Sequence, residues 1–306
     1  MKKLIFMGTP KFAQIILEKL HQKYPVSLVV TQPDKKVGRK QILTEPPLKK
    51  TAKKLSIAVF QPINLRKDYQ IILDLKPDLV ITAAYGQMLP KELLEAVLCI
   101  NIHASLLPKH RGGAPVERAI SAGDLKTGIT LMHMEKKMDS GDLIAQREIT
   151  IEEDFTATIL LDKLADIGAD LLLEYLPKIF TNKAPRIKQD ESLATYSYNL
   201  KKADEILDFK RPTRLVLRQL NALLDQPGGS MFLKGKRIKV YKLEKNDIIN
   251  NAKPGTVLSV KGELTIKTLD GAVNILTLQE QGKNKMAVKA YLNGQKIFQK
   301  GDVVNE

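Results

Sequence analysis

Asn101 and His103 stand two residues apart in the run Cys99-Ile100-Asn101-Ile102-His103. In a strand, that spacing turns both side chains to one face of the sheet. An amide and an imidazole converging at a strand's carboxyl end suit stabilisation of a developing oxyanion together with proton transfer. A buried Asn–His pair that satisfies its own hydrogen bonds has the same signature. Asp139, in Met138-Asp139-Ser140-Gly141-Asp142, precedes a further strand and could orient the imidazole or take a proton. An aspartate that only shapes a turn is the alternative. Ser105 lies in a Leu-rich loop without the Gly-x-Ser-x-Gly elbow that activates a serine nucleophile. Gly8-Thr9-Pro10 lacks the Gly-x-Gly-x-x-Gly spacing of a dinucleotide turn, and a Walker phosphate loop is missing as well. One cysteine and four histidines exclude a Cys-rich zinc site and leave little for any other metal cage.

These residues need a scaffold, and the first 150 positions supply one. Apolar runs at Leu4-Ile5-Phe6-Met7, Val26 to Val30, Asp78 to Ala84, Cys99 to His103 and Gly128 to Met132 alternate with helical patterns. Continuous apolar strands separated by helices predict a parallel sheet covered on both faces, with functional groups at the carboxyl ends of its strands. Tyr85-Gly86 and His103 to Pro108 fall at those ends. A long helix is expected over about 156–180, then a polar, irregular linker. From about residue 207 the character changes to a basic helix near Thr213 to Leu224 and short alternating strands. Gly-bearing turns at Lys261-Gly262 and Asp270-Gly271 separate them, as in a small barrel.

The 306 residues carry a net charge of +15, and it is segregated. Residues 201–306 hold 20 Lys and Arg against 11 Asp and Glu; residues 33–54 hold 8 against 2; the remainder sums to zero. Two basic regions on a neutral body point to a polyanionic partner, nucleic acid foremost, though solvated lysines give the same count. No apolar stretch reaches the ~20 residues that cross a bilayer. The amino-terminal apolar run is too brief for a secretory signal. A cytoplasmic protein is expected, and a monomer, since no interface is signalled.

Taken together, Asn101, His103, Ser105-Leu106-Leu107-Pro108, Arg111-Gly112-Gly113-Ala114-Pro115 and Met138-Asp139-Ser140-Gly141 resemble the formyltetrahydrofolate-dependent formyltransferases. The resemblance implies that Asn101, His103 and Asp139 form the catalytic set. It implies 10-formyltetrahydrofolate as co-substrate, held by Tyr85, Gly86, Gln87, Met88 and Leu89, by Ser105 to Pro108 and by Asp139, with no metal. His110 stands where the family usually has an aromatic residue. Phe6 to Ala13, Thr31-Gln32-Pro33-Asp34 and Gln189 to Tyr196 are similar to the branch that formylates methionyl-initiator-tRNA. In that branch a basic loop engages the acceptor stem, which implies roles for Lys35, Lys36, Arg39 and Lys40.

The fold class so implied is α/β: a Rossmann-like parallel-sheet formyltransferase domain plus a small OB-like β-barrel. The domain expectation is 1–204, with a basic insertion loop at 33–54 and a linker at about 181–204, followed by a basic tRNA-binding domain at 205–306. Two rivals stay open at this point: a formyltransferase acting on a sugar nucleotide or glycinamide ribonucleotide, and a non-catalytic RNA-binding protein.

Overall fold

The computed structural model describes residues 2–38, 40–224, 227–294 and 297–306. In chain order the first half runs β1 (Leu4–Gly8), α1 (Lys11–Lys23), β2 (Val26–Val30), β3 (Lys35–Val37), β4 (Ile42–Thr44) and α2 (Pro47–Lys54). It continues with β5 (Ala58–Phe60), α3 (Leu65–Asp68), α4 (Gln70–Asp74), β6 (Leu79–Ala83), α5 (Lys91–Ala96) and β7 (Cys99–His103). Then come α6 (Pro115–Ala122), β8 (Lys126–His133), β9 (Leu143–Thr150) and α7 (Ala157–Phe180). The remainder is α8 (Thr213–Leu223), β10 (Gly229–Leu233), β11 (Lys236–Asn246), β12 (Val257–Ser259), β13 (Leu264–Lys267), β14 (Ala272–Glu280), β15 (Met286–Ala287) and α9 (Val288–Gly294).

Two compact units are present. One comprises residues 1–115, 126–150 and 159–198; the other comprises 116–125, 151–158 and 199–306. Each draws on more than one stretch of chain, which a single boundary at 204/205 does not describe.

The first unit is a seven-stranded sheet in the order β5-β2-β1-β6-β7-β8-β9. Every residue of β1 and β6 is buried, as continuous apolar runs demand of strands covered on both faces. β5, β2, β1, β6 and β7 are mutually parallel. The expectation fails at one edge: the Gly128–Met132 run lies in β8, which pairs antiparallel with β7, and β9 pairs antiparallel with β8. Burial on both faces makes a strand apolar whichever way it runs, so the pattern encodes no direction. The result is a mixed sheet whose parallel part matches the Rossmann-like expectation.

The second unit carries a six-stranded antiparallel sheet, β10-β11-β14-β13-β12 with β15 on β14. Register shifts between Val240 and Leu243 bend the long strand β11, so the sheet curls toward the small barrel expected. Its core packs Leu220, Met231, Ile238, Val240, Ile266 and Ile275. Arg218, 1% exposed, donates from Nη2 to the carbonyl of Asp124 at 2.8 Å and from Nε to that of Ile120 at 3.3 Å. Those bonds tie 116–125 into this unit.

Candidate active site

β7 ends with Asn101 and His103 facing the same way, as the two-residue spacing requires. The register pairs Asn101 with Thr82 of the parallel neighbour β6. The Thr82 hydroxyl, buried, donates to Asn101 Oδ1 at 2.7 Å. With Oδ1 so occupied, the amide presents its Nδ2 hydrogens outward as donors. His103 is buried, and its Nε2 lies 2.9 Å from the carbonyl oxygen of His110. A carbonyl can only accept, so Nε2 carries the hydrogen, and the neutral ring holds its lone pair on Nδ1. That atom faces Asp139 Oδ2 at 3.8 Å. The structure therefore does not pair Asn101 with His103. It gives each a separate partner and leaves one donor and one basic nitrogen available.

Asp139 is reached differently. It lies in a turn with φ of +49°, a left-handed conformation that costs a residue with a Cβ unless its surroundings hold it. The backbone N–H of Gly112 donates to Asp139 Oδ2 at 2.8 Å. Gly112 itself has φ of +116°, and a Cβ there would fall 2.7 Å from the carbonyl oxygen of Ser197. Both facts require glycine. Arg111, 0% exposed, fixes the loop from behind: Nη2 donates to Glu191 Oε1 at 2.7 Å and to Gln189 Oε1 at 2.8 Å. The Arg111 and Lys137 cations hold the Glu191 carboxyl down at about 2.

Residues 181–198, read from sequence as part of a linker, form the wall of this arrangement. Arg111 N–H donates to Thr195 O at 2.8 Å, Ser197 N–H to Arg111 O at 2.6 Å and Ala114 N–H to Ser197 O at 3.0 Å. Around 189–197 the irregular, polar composition reflects pairing with a loop, whereas Ile187 pairs with Leu143 of β9 through both its N–H and its carbonyl.

The other expected residues divide sharply. Tyr85 is buried in the core beside Ile5, Met7 and Leu89, and burial pushes its phenol up. Its carbonyl accepts from Thr9 Oγ1 at 2.9 Å and from Gln32 Nε2 at 3.2 Å. The Gln87 side chain accepts from Leu65 N–H at 2.9 Å and donates to Pro62 O at 3.1 Å. Gly86 and Met88 are exposed. Tyr85 and Leu89 are thus packed in the core and the Gln87 side chain is hydrogen-bonded internally, while Gly86, with φ of +91°, exposes backbone. Ser105 is buried and donates to Lys109 O at 2.7 Å. Leu107 is buried too; its N–H donates to Thr130 Oγ1 at 3.1 Å and its carbonyl accepts from Gln146 Nε2 at 2.8 Å. Leu106 and Pro108 are half-buried. The side chains of Ser105 and Leu107 shape the loop from within.

Lys35, Lys36 and Lys40 are exposed on or beside the β3–β4 hairpin; Arg39 lies outside the described residues. The two acids of the basic segment are neutralised inside it, Asp34 by Lys49 at 2.8 Å and Glu45 by Lys53. Its excess charge is therefore displayed. The sequence assigned no role to the side chains of Thr82 or Gln189, and marked Gly112 only as shaping a loop. A threonine within the aliphatic run Leu79-Val80-Ile81-Thr82-Ala83 was the one local signal for the first. Among the described residues, no group of three or more His, Cys, Asp or Glu could hold a metal ion. None of their helices is long and apolar enough to cross a membrane.

Residues 1–176 match the family model described as formyl transferase, and residues 199–296 match the one described as formyl transferase, C-terminal domain. The chain belongs to the formyl transferase family. One relative, the methionyl-tRNA formyltransferase of Latilactobacillus sakei, is 45% identical over 301 residues, covering 96% of this chain and 95% of its own. Among solved structures, an N-formyltransferase from Helicobacter canadensis, in complex with folinic acid and dTDP-3-aminofucose, superposes with a TM-score of 0.67 at 19% identity. That match covers 94% of this chain and all of the other. HypX from Aquifex aeolicus in complex with tetrahydrofolic acid superposes with a TM-score of 0.64 at 20% identity, covering 99% of this chain. The formyl transferase chain spans about half the length of HypX. At such identities the structural matches speak for the fold alone.

Proposed function

We infer that this formyl transferase passes the formyl group of 10-formyltetrahydrofolate to the α-amino group of methionyl-initiator-tRNA, giving N-formylmethionyl-tRNA for translation initiation. The observation that carries the reading is the end-to-end match, at 45% identity, to a relative named for the methionyl-tRNA reaction. The displayed charge at 33–54 and the +9 balance of residues 201–306 support a nucleic-acid acceptor over a small amine. Initiation of translation would place the enzyme in the cytoplasm.

The folate supplies the formyl group; the chain's residues do the rest. Asn101 donates from Nδ2 to the formyl oxygen as negative charge develops there, with Thr82 holding the amide the right way round. His103 Nδ1 accepts the proton that the attacking amine releases and returns it to the departing folate nitrogen. While protonated, the ring faces the Asp139 carboxylate, 3.8 Å away, which stabilises the imidazolium. Lys35, Lys36, Lys40 and Arg39 contact phosphates of the acceptor arm, positioning it without reading sequence.

The test is formyl transfer from 10-formyltetrahydrofolate to methionyl-initiator-tRNA, with elongator methionyl-tRNA and an amino-sugar nucleotide run beside it. Fast transfer to the initiator alone is expected. Transfer to the sugar and to neither tRNA would overturn the reading. Affinity for the tRNA should fall steeply with added salt. Replacing Lys35, Lys36 and Lys40 together by Ala should flatten the log–log salt dependence by roughly 2–3 units.

A further inference from the structure

Gln189 uses its whole side-chain amide, and it uses it between the buried Arg111 guanidinium and the 139–141 turn. Oε1 accepts from Arg111 Nε at 3.2 Å and Nη2 at 2.8 Å, while Nε2 donates to the carbonyls of Asp139 at 2.9 Å and Gly141 at 2.8 Å. A guanidinium only donates and a carbonyl only accepts, so the neighbours permit one orientation of this amide. An amide here has both lone pairs and both hydrogens satisfied. The same two carbonyls belong to the turn in which Asp139 takes its left-handed φ. A Cβ on Gly141 would lie 2.0 Å from His133 O, so the turn is pressed against β8 with no slack.

We propose that Gln189 is the positioning residue for Asp139: it couples the buried Arg111 guanidinium to the 139–141 turn and so sets the distance from the Asp139 carboxylate to His103 Nδ1. This rests on the reading of Asp139 as a partner of His103 in the proton path. Gln189 touches no reacting atom. Its effect is exerted through the carboxylate it aims, and displacing a supporting group by even ~1 Å can cost on the order of 10² in rate.

The two halves of the amide separate cleanly in one substitution. Gln189→Glu keeps oxygen acceptors for Arg111 but removes both donors to the turn. It is expected to lower kcat about 10- to 100-fold, with KM for folate and tRNA unchanged within about twofold and thermal stability kept by the Arg111 contact. Gln189→Met, which removes both halves, is the second variant and should lose at least as much kcat. In an Asp139→Asn background either change should cost less than about twofold more, since two residues acting through one contact are not additive. Gln189→Glu with wild-type kcat, beside an impaired Asp139→Asn, would overturn this inference alone. Equal losses in both backgrounds would overturn it too, by showing that Gln189 acts elsewhere. Asp139→Asn at wild-type kcat would overturn the role of Asp139 and the inference together.

Discussion

Strand β7 and the 138–142 turn bring polar groups to one site by opposite means. Asn101 and His103 inherit their direction from a strand held by parallel β6 on one side and antiparallel β8 on the other. Asp139 inherits nothing from regular structure. Its left-handed turn is held by Gly112 through the carboxylate and by Gln189 through the carbonyls. A strand makes direction cheap and precision a matter of one or two supporting bonds. A turn makes precision a property of a network, and the network here reaches fifty residues along the chain to Gln189.

The largest effect is expected on the strand. Asn101→Ala removes the donor proposed for the developing oxyanion and should cost on the order of 10²–10³ in kcat. The sheet should stand, because the backbone of β7 does not depend on that side chain. Single-turnover formyl transfer with thermal melting alongside is the measurement. An inactive variant whose melting temperature is wild-type confirms a chemical role, whereas a lost fold would mean that Asn101 is a structural residue after all.

Gly112→Ala tests the turn by the opposite logic. The new Cβ would meet Ser197 O at 2.7 Å with φ at +116°, so the loop must shift, at a cost of about 1–3 kcal/mol. Expressed in the rate, that is roughly 5- to 150-fold. Activity and melting temperature should fall together, unlike in Asn101→Ala. An unchanged melting temperature would show that the loop yields easily and that the turn is not a tight network.

Thr82→Val is the finest cut on the strand side. It is nearly isosteric and removes the hydrogen that keeps Asn101 Oδ1 turned inward. The loss of one such bond is worth about 1 kcal/mol, or roughly fivefold in kcat, with KM unchanged. Thr82→Ser should restore most of it. Failure of the serine to rescue would assign the effect to packing.

How far the sequence announced these residues follows the same division. Asn101 and His103 were legible because parity along a strand is a local property, and Cys99–His103 is the strand the residues themselves predict. The parallel core, α7 and α8 were legible from apolar periodicity. The direction of β8 was not, since two-sided burial erases it. Nor was the wall at 189–197, where Gln189, Glu191, Thr195 and Ser197 bond to Arg111, and Gln189 to Asp139, across long separations in sequence. The short β3–β4 hairpin was hidden for a related reason: its apolar residues Val37, Ile42 and Leu43 are exposed, so no inside-outside alternation marks it.

The smallest predicted effect concerns pH, and it isolates the network from the chemistry. Arg111, then Lys137, depress the Glu191 carboxyl from its ordinary 4.5 to about 2. A depressed carboxyl contributes stability that is complete above the unfolded value and is lost as pH falls through the folded one. The Arg111 anchor is therefore fully formed above about 4.5 and fails only toward 2. From about pH 5 to about pH 9, where amine acylation would be assayed, Glu191 does not change charge. Glu191→Gln should then lower kcat by a constant factor across that range, leaving the shape of the pH–rate profile superimposable on the wild type. The turn-side variant Asp139→Asn removes a charge that faces the imidazole and should change the shape itself. If Glu191→Gln moved a limb of the profile, the carboxylate would be acting on the proton path directly, and the wall at 189–197 would belong to the chemistry instead of holding it in place.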